Sequence, residues 1–505
     1  MMLDTKPADS GRCSTHRCDG NYLDYVFSSD IKSSVFYKSI MHYAIDLLQT
    51  CNNDAKTYSG ATIADIRKLL QDIEMLPQNG TGVMKALREL GKPSVEHALK
   101  VSSAAAVAHL HCPVAIPALA AETLISATNQ SLDSWDQSPF ATLLEERVIQ
   151  WLLELAGASD QASGCFNSGG SQSNMTALYL AIEQMPEIER KNFVIFTSEN
   201  AHFSILKSAR ILGLAADAVI PVPTDENGRM SAAQLHPAII KSRQDHKVPL
   251  AVVATAGTTD LGAIDPLSEI ADIAKLHNLW LHVDAAYGGG LLFTPHRDQL
   301  KGIERAHSVT IDFHKMLFQP ISCGVLLVKD KTFFSPLASK ADYLNPEEEV
   351  FAHAPNLVER SLQTTRRGDA LKVAITMRSV GRDGISEMVC KTLENAKAAA
   401  MAIRARDQLE LIQNPPLSTV MFRYVPRDSS QCGNRIALKI REQLFNEGTA
   451  AIATTVYQGR VCFKLTMLNP FSDAHIVNRI LNRIVALAEE LQQSPDFAHS
   501  QQASA

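Results

Sequence analysis

The sequence predicts an α/β fold: a large domain built on a mostly parallel sheet, an N-terminal helical segment before it, and an α+β C-terminal domain after it. Three observations carry this. Between about residues 164 and 328, short β-prone runs alternate with helical patterns. Those runs are continuously apolar, as strands are when both faces of a sheet are covered. Past residue 366 a long helical stretch leads to two alternating runs, Thr419–Val425 and Arg460–Thr466, and a closing amphipathic helix at about Ala474–Leu491.

Taken in order, residues 1–20 are polar and expected to be a disordered tail. Residues 21–103 form a helical segment, with Ile40, Tyr43, Ala44, Leu47 and Leu48, then Ile63, Ile66, Leu69 and Leu70, at helix spacing. Its core is thin, so it is expected to pack on something else. The large domain spans 104–380. It opens with a helix from Phe140 to about Leu155 whose apolar face carries Leu143, Leu144, Val148, Trp151 and Leu152. Strands follow at Cys165–Asn167, Phe193–Thr197, Ala218–Val222, Ala251–Thr255, Trp280–Asp284, Ser308–Ile311 and Val325–Val328. Helices fit between them at Gln172–Glu183, His202–Leu212, Ala232–Arg243 and Pro266–Leu276. A small domain at 381–492 and a frayed tail at 493–505 complete the chain.

Composition excludes several classes. A net charge of −6 with no basic stripe argues against a nucleic-acid partner. The most apolar window, Ser103–Ala121, is interrupted by His109, His111, Pro113 and Pro117 and is no membrane span. The start, Met1–Pro7, lacks an apolar core of signal-peptide length. Nine scattered cysteines suit reduced thiols in a cytoplasm better than a disulfide framework. Cys13, His16 and Cys18 resemble half a metal site, but no second ligand pair lies nearby, so no metal is expected.

The chemistry sits at strand ends. Leu281-His282-Val283-Asp284 places a carboxylate at the end of an apolar run, and a second run delivers Lys315 behind His314. A carboxylate for a pyridinium nitrogen and an amine for a Schiff base are what pyridoxal 5'-phosphate needs. Lys315 is flanked by Phe313, Met316, Leu317 and Phe318, which argues against a solvated loop lysine. Ser168-Gly169-Gly170-Ser171-Gln172-Ser173-Asn174 lies between a strand and a helix, an anion cradle suited to a phosphate; a plain capped turn is as good a reading of that stretch alone. His202, after the strand Phe193–Thr197, can lie flat on a cofactor ring, though a helix-cap histidine is the commoner case. Ala254-Thr255-Ala256-Gly257-Thr258-Thr259-Asp260 ends another strand at the same crevice.

Gly170–Asn174, His202, Gly257–Thr259, His282–Tyr287 and His314-Lys315 together resemble the group II pyridoxal-phosphate decarboxylases, from Lys32 to Glu490. Ser131–Pro139 and Ser361–Lys372 look most like the branch acting on L-2,4-diaminobutyrate and L-lysine in siderophore or polyamine pathways. The resemblance implies an aspartate-aminotransferase-type fold (fold type I) and a homodimer, or a higher oligomer, with each site completed by the partner subunit. It implies that Lys315 is the Schiff-base lysine and Asp284 the partner of the ring nitrogen, with His202 stacked on the ring and Ala286 on its other face. Ser171, Gln172, Ser173 and His314 match phosphate-side positions. Thr259 matches a threonine near the cofactor and the substrate carboxylate, and Arg366 is expected to bind substrate. The expected reaction is decarboxylation of a basic diamino acid, L-lysine to cadaverine first, L-2,4-diaminobutyrate to 1,3-diaminopropane second. Glutamate or aspartate decarboxylation, another reaction of the same cofactor and a non-catalytic paralogue are more remote.

The sequence also departs from the family. Asp312 stands where several relatives have asparagine, so its carboxylate must point away or meet a cation. The lid region, about Asn345–Glu359, has no tyrosine, which leaves His353 as its obvious proton donor. Gly368, Val373 and Ala374 replace bulkier residues. Asp342 and Glu347–Glu349 suit a distal ammonium as well as they suit a solvated loop.

Overall fold

The computed structural model describes residues 22–52, 56–186, 189–338, 354–426 and 433–494. The chain forms two compact units, Met1–Ala98 and Leu99–Ala505. Among the described residues the first holds four α-helices, α1 (Ile31–Asn52), α2 (Ile63–Gln71), α3 (Val83–Ala86) and α4 (Lys92–Glu96). Thr62 and Asp65 close a reciprocal capping box at the start of α2, which satisfies amides the helix itself cannot. Leu23, Val26, Ile31, Val35 and Leu76 are exposed.

The second unit runs α5 (Ile116–Thr128), α6 (Pro139–Ala156), β1 (Ser163–Asn167), α7 (Gly170–Glu183), β2 (Phe193–Ser198), α8 (Ser204–Ile211), β3 (Val219–Val222), α9 (Ala232–Gln244), β4 (Val248–Thr255), α10 (Leu267–His277), β5 (Trp280–Asp284), β6 (Ser308–Asp312) and β7 (Gly324–Val328). It continues through α11 (Ala370–Arg404), β8 (Leu409–Leu411), β9 (Thr419–Tyr424), α12 (Gly433–Glu447), β10 (Ala453–Tyr457), β11 (Arg460–Thr466) and α13 (Ala474–Gln493).

The large sheet has the order β1-β7-β6-β5-β4-β2-β3. Strands β2 to β6 pair in parallel, and β7 runs antiparallel to both β1 and β6. The reversal follows from the connection: β6 reaches β7 through a short loop that carries Lys315, too short for a parallel crossover. Alternate residues of β4 serve opposite cores. Val252 and Ala254 join the cluster that includes Val148, Leu152 and Ile270; Ala251 and Val253 join the one that includes Leu178, Leu180 and Ile205. That is why the strands read as unbroken apolar runs, with each fully buried valine stabilising the fold by about 1.5–3 kcal/mol.

Helix α6 faces inward along a different line from the one the sequence suggested. Val148 and Leu152 are buried with Glu145, Ile149 and Leu153, while Leu143 is 49% exposed. The buried Glu145 turns this face, because its carboxylate is matched by Arg366. A second sheet, β10-β11-β9-β8, is antiparallel throughout. The sequence showed two of its strands. It missed β8, three residues long, and β10, joined to β11 by a tight turn at Gln458 and Gly459, both at positive φ. Helix α11 opens at Gly381 (φ 74), where the sequence placed the boundary between large and small domains. Among the described residues no helix is long and apolar enough to cross a membrane. The Cys13–Cys18 cluster lies outside the described residues.

Candidate active site

The carboxyl ends of β2, β4, β5 and β6 and the start of α7 enclose a crevice of about 280 Å3, lined by Leu110, Gly170, Ser171, Asn174, His202, Thr259, Asp284, Ala286, Tyr287, Asp312, His314 and Lys315, among others. This is where ligands of parallel α/β sheets bind. A larger apolar hollow of about 450 Å3 beside Trp151 and Met377 shares none of these residues.

The entrance to α7 sets one end. Gly169 has φ 135, and a Cβ there would lie 2.8 Å from the His314 ring, so only glycine allows strand, turn and histidine to meet. The opening turn of α7 leaves amides without helical partners and carries the positive end of the helix dipole. Of the three sequence-predicted phosphate residues here, Ser171 lines the crevice. The other two brace the turn: Gln172 Oε1 accepts from the Ser168 amide and hydroxyl (3.1 and 2.7 Å), and buried Ser173 Oγ accepts from Asn167 Nδ2 (2.7 Å). His314 is held through Nδ1 by the Cys323 backbone (2.9 Å) and turns Nε2 inward.

At the other end Asp284 is 6% exposed. Its Oδ2 accepts from Asn174 Nδ2 (2.8 Å) and its Oδ1 from the Ala286 amide (3.1 Å). Asn174 is the junction of a buried network. The same Nδ2 donates to Ser204 Oγ (3.0 Å), and Ser204 meets His202 Nδ1 (2.8 Å). Asn174 Oδ1 accepts from Thr310 Oγ1 (3.0 Å) and faces His282 Nε2 (2.9 Å). Because that oxygen only accepts, His282 carries its proton on Nε2 and receives Ser308 Oγ on Nδ1 (2.8 Å); Ser308 in turn accepts from Trp280 Nε1 (2.8 Å). Burial pushes His282 down to about 4 and lowers His202, so both imidazoles are neutral at pH 7. The sequence reading gave Asn174 and His282 no role. Both had a signal: Asn174 lies one helical turn past Gly170, and His282 lies two residues before Asp284 on the same strand face.

Lys315 Nζ lies 3.3 Å from Asp312 Oδ2. Asp312 therefore points into the crevice and meets a cation. Thr259 and Ala286 line the same space. Tyr287 and Leu110 do too: the Tyr287 hydroxyl is tied to Ser418 Oγ (2.7 Å), just before β9, and to Thr419 Oγ1 (3.0 Å), its first residue, and burial pushes its phenol up to about 12.

Arg366 is a correction. It does not line the crevice. Both terminal nitrogens bind Glu145, at 2.6 and 2.7 Å, and the two side chains are 5% and 1% exposed. Glu145 also receives the Phe166 amide of β1 (3.3 Å). The guanidinium is spent on that internal pair and has no fork left for a substrate. His353, Asp342 and Glu347–Glu349 lie outside the described residues.

The residues fit pyridoxal phosphate on their own chemistry: an amine, a carboxylate with fixed donors for a ring nitrogen, and a helix N-terminus for a phosphate. A family model described as the pyridoxal-dependent decarboxylase conserved domain matches residues 71–425. The chain is 57% identical to an L-2,4-diaminobutyrate decarboxylase of Rhizobium meliloti (strain 1021), over 94% of this chain and 96% of that protein. It is 35% identical to one of Acinetobacter baumannii, over 93% and 96%. Among solved structures, the glutamate decarboxylase domain of a diaminobutyrate-pyruvate transaminase and L-2,4-diaminobutyrate decarboxylase from Vibrio parahaemolyticus superposes with a TM-score of 0.84 at 33% identity, covering 93% of this chain and 99% of that one.

Proposed function

The chain belongs to the pyridoxal-dependent decarboxylases, and on that premise we propose that it converts L-2,4-diaminobutyrate to 1,3-diaminopropane and CO2. The chain is a carboxy-lyase that uses pyridoxal phosphate. What carries the substrate is the 57% identity, over nearly the whole chain, to a protein named for that reaction. The sequence reading ranked L-lysine above diaminobutyrate, and the names of the relatives favour the reverse.

Bound pyridoxal phosphate supplies the sink for the electron pair left when CO2 departs. Lys315 would hold the cofactor through its amine. Asp284, fixed by Asn174 and the Ala286 amide, would pair with the ring nitrogen and favour its protonated form. His202, anchored through Ser204, would cover one face of the ring, and Ala286 would pack on the other. The α7 N-terminus, Ser171 and His314 would hold the phosphate, with Gln172 and Ser173 keeping the turn in shape. Thr259 positions the substrate carboxylate. His353 returns a proton to Cα, and replacing it with phenylalanine should slow turnover and raise oxygen-dependent side products. The assembly is a cytoplasmic homodimer on this reading. The six cysteines among the described residues are unpaired, in keeping with a reducing compartment. Siderophore supply as the use of the diamine rests on the family resemblance.

The test is a panel of L-2,4-diaminobutyrate, L-lysine, L-ornithine, L-glutamate and L-aspartate with the amine and CO2 both measured. Diaminobutyrate should give the highest kcat/KM and 1,3-diaminopropane. A higher value for any other member overturns the substrate.

A further inference from the structure

Asp312 ends β6 inside the crevice and is 3% exposed. Its carboxylate is wedged against three glycines. Oδ1 lies 3.5 Å from where a Gly169 Cβ would be and 2.7 Å from that of Gly324, and Oδ2 lies 3.2 Å from that of Gly170. Two of these glycines form the turn that opens α7, so the carboxylate occupies the wall of the seat suited to a phosphate. Its one close cation is the Lys315 amine, 3.3 Å from Oδ2; His314 Nε2 is farther, at 3.6 Å. Oδ1 is buried and has no hydrogen-bond partner among the described residues. A buried carboxylate oxygen without a donor is costly, and a second anion beside it is costlier.

We propose that Asp312 enters the cofactor-loaded site protonated and donates its hydrogen to an oxygen of the cofactor phosphate, so that loading takes up one proton from solvent. When Lys315 is engaged by the cofactor, its ammonium no longer faces Asp312. A dianionic phosphate then arrives beside a carboxylate whose other oxygen already lacks a donor. One shared proton removes the like-charge contact and satisfies both groups. The other titratable groups that act on or sense this carboxylate are Asp284 on β5, His202 after β2 and Cys323 before β7. Burial already holds Asp312 above the usual carboxylate range, against the pull of Lys315 and His314, and losing Lys315 moves it in the same direction. The inference rests on the cofactor and is independent of which amino acid is decarboxylated.

The test is the dissociation constant of pyridoxal phosphate for the full-length apo protein across the pH range, in the wild type and in Asp312→Asn. Asparagine donates without titrating and is nearly isosteric, so the fold is kept. The ratio of wild-type to variant Kd should rise with pH, approaching tenfold per unit over the window in which loading takes up the proton. Pyridoxal, which lacks the phosphate, should show no such divergence. Parallel pH profiles overturn the shared proton. A constant ratio at every pH points to simple competition between two anions and also overturns it. Divergence with pyridoxal moves the effect to Lys315 and overturns the phosphate assignment. Visible absorbance of bound cofactor in both proteins keeps the proposed function standing whichever way the profiles fall.

Discussion

Strands β5 and β6 lie side by side and each ends on a buried aspartate, yet the two carboxylates are housed in opposite ways. Asp284 receives one donor on each oxygen, and its principal donor, Asn174, is itself fixed by Thr310 and His282. Asp312 has Lys315 on one oxygen and, among the described residues, no partner on the other. The first has its lone pairs aimed in advance by fixed donors. The second depends on one flexible lysine. A carboxylate fixed by neutral donors and one held by a movable cation are built from the same residue type, one strand apart.

The largest way to disturb this pair is to remove what both ends serve. Lys315→Ala should cut turnover by at least about 10^4-fold and abolish the visible absorbance of protein-bound cofactor; retention of either removes Lys315 from its role. Next comes Asp284→Ala, expected to lower kcat by about 10^2–10^3-fold. Asn174→Ala makes Asp284 more like Asp312 by taking a donor away, and should lower kcat by about 10–100-fold. It should also shift the bound cofactor's absorbance, a change that a purely structural role for Asn174 would not produce. Unaltered spectra in this variant would show that Asp284 does not need its donor.

Glu145 supplies a third buried carboxylate, satisfied by a full ion pair. Arg366→Ala should destabilise the fold by about 3–5 kcal/mol, measured by urea unfolding, because it strands that charge. The folded fraction should keep its KM, and a KM that rises sharply would restore the substrate role expected from the sequence. The smallest effect concerns His282. It stays neutral in the fold down to about 4, whereas an unfolded histidine takes a proton near 6.5. Folding therefore excludes a proton, and stability should fall as pH drops from about 6.5 toward 4, by roughly 1 kcal/mol per unit. His307, pushed to about 4 by burial, adds to the same slope. His282→Gln keeps a donor toward Asn174 and should flatten the slope by about one proton; an unchanged slope would assign it elsewhere.

Much of the sheet, and the placing of Asp284 and Lys315 in one crevice, were legible in the sequence for a local reason. A strand buried on both faces announces itself as an apolar run, and a charged residue at its end stands out against it. Asp284 and Lys315 are such residues. The long-range partners were not legible, because nothing local marks them. Arg366 meets Glu145 across 221 positions, so a conspicuous arginine in a family-like stretch read as a substrate contact. Gln172 and Ser173 sat in an anion-cradle motif, but a helix turns successive side chains to different sides, and two of the three hydroxyl or amide groups face the loop. β10 was missed because three of its five residues are only partly buried and one is exposed, so its pattern is weak.

The crevice is tied to the second sheet at two points. Tyr287 reaches Ser418, 131 residues ahead, and Asp260, next to Thr259, meets Lys464 at 2.6 Å across 204 residues. A growing chain emerges N-terminus first. All seven strands of the large sheet, with Asp284 and Lys315, are therefore made well before the residues that brace their loops. A chain stopped short of β9 would carry Asp284 and Lys315 at strand ends whose neighbouring loops lack these two braces.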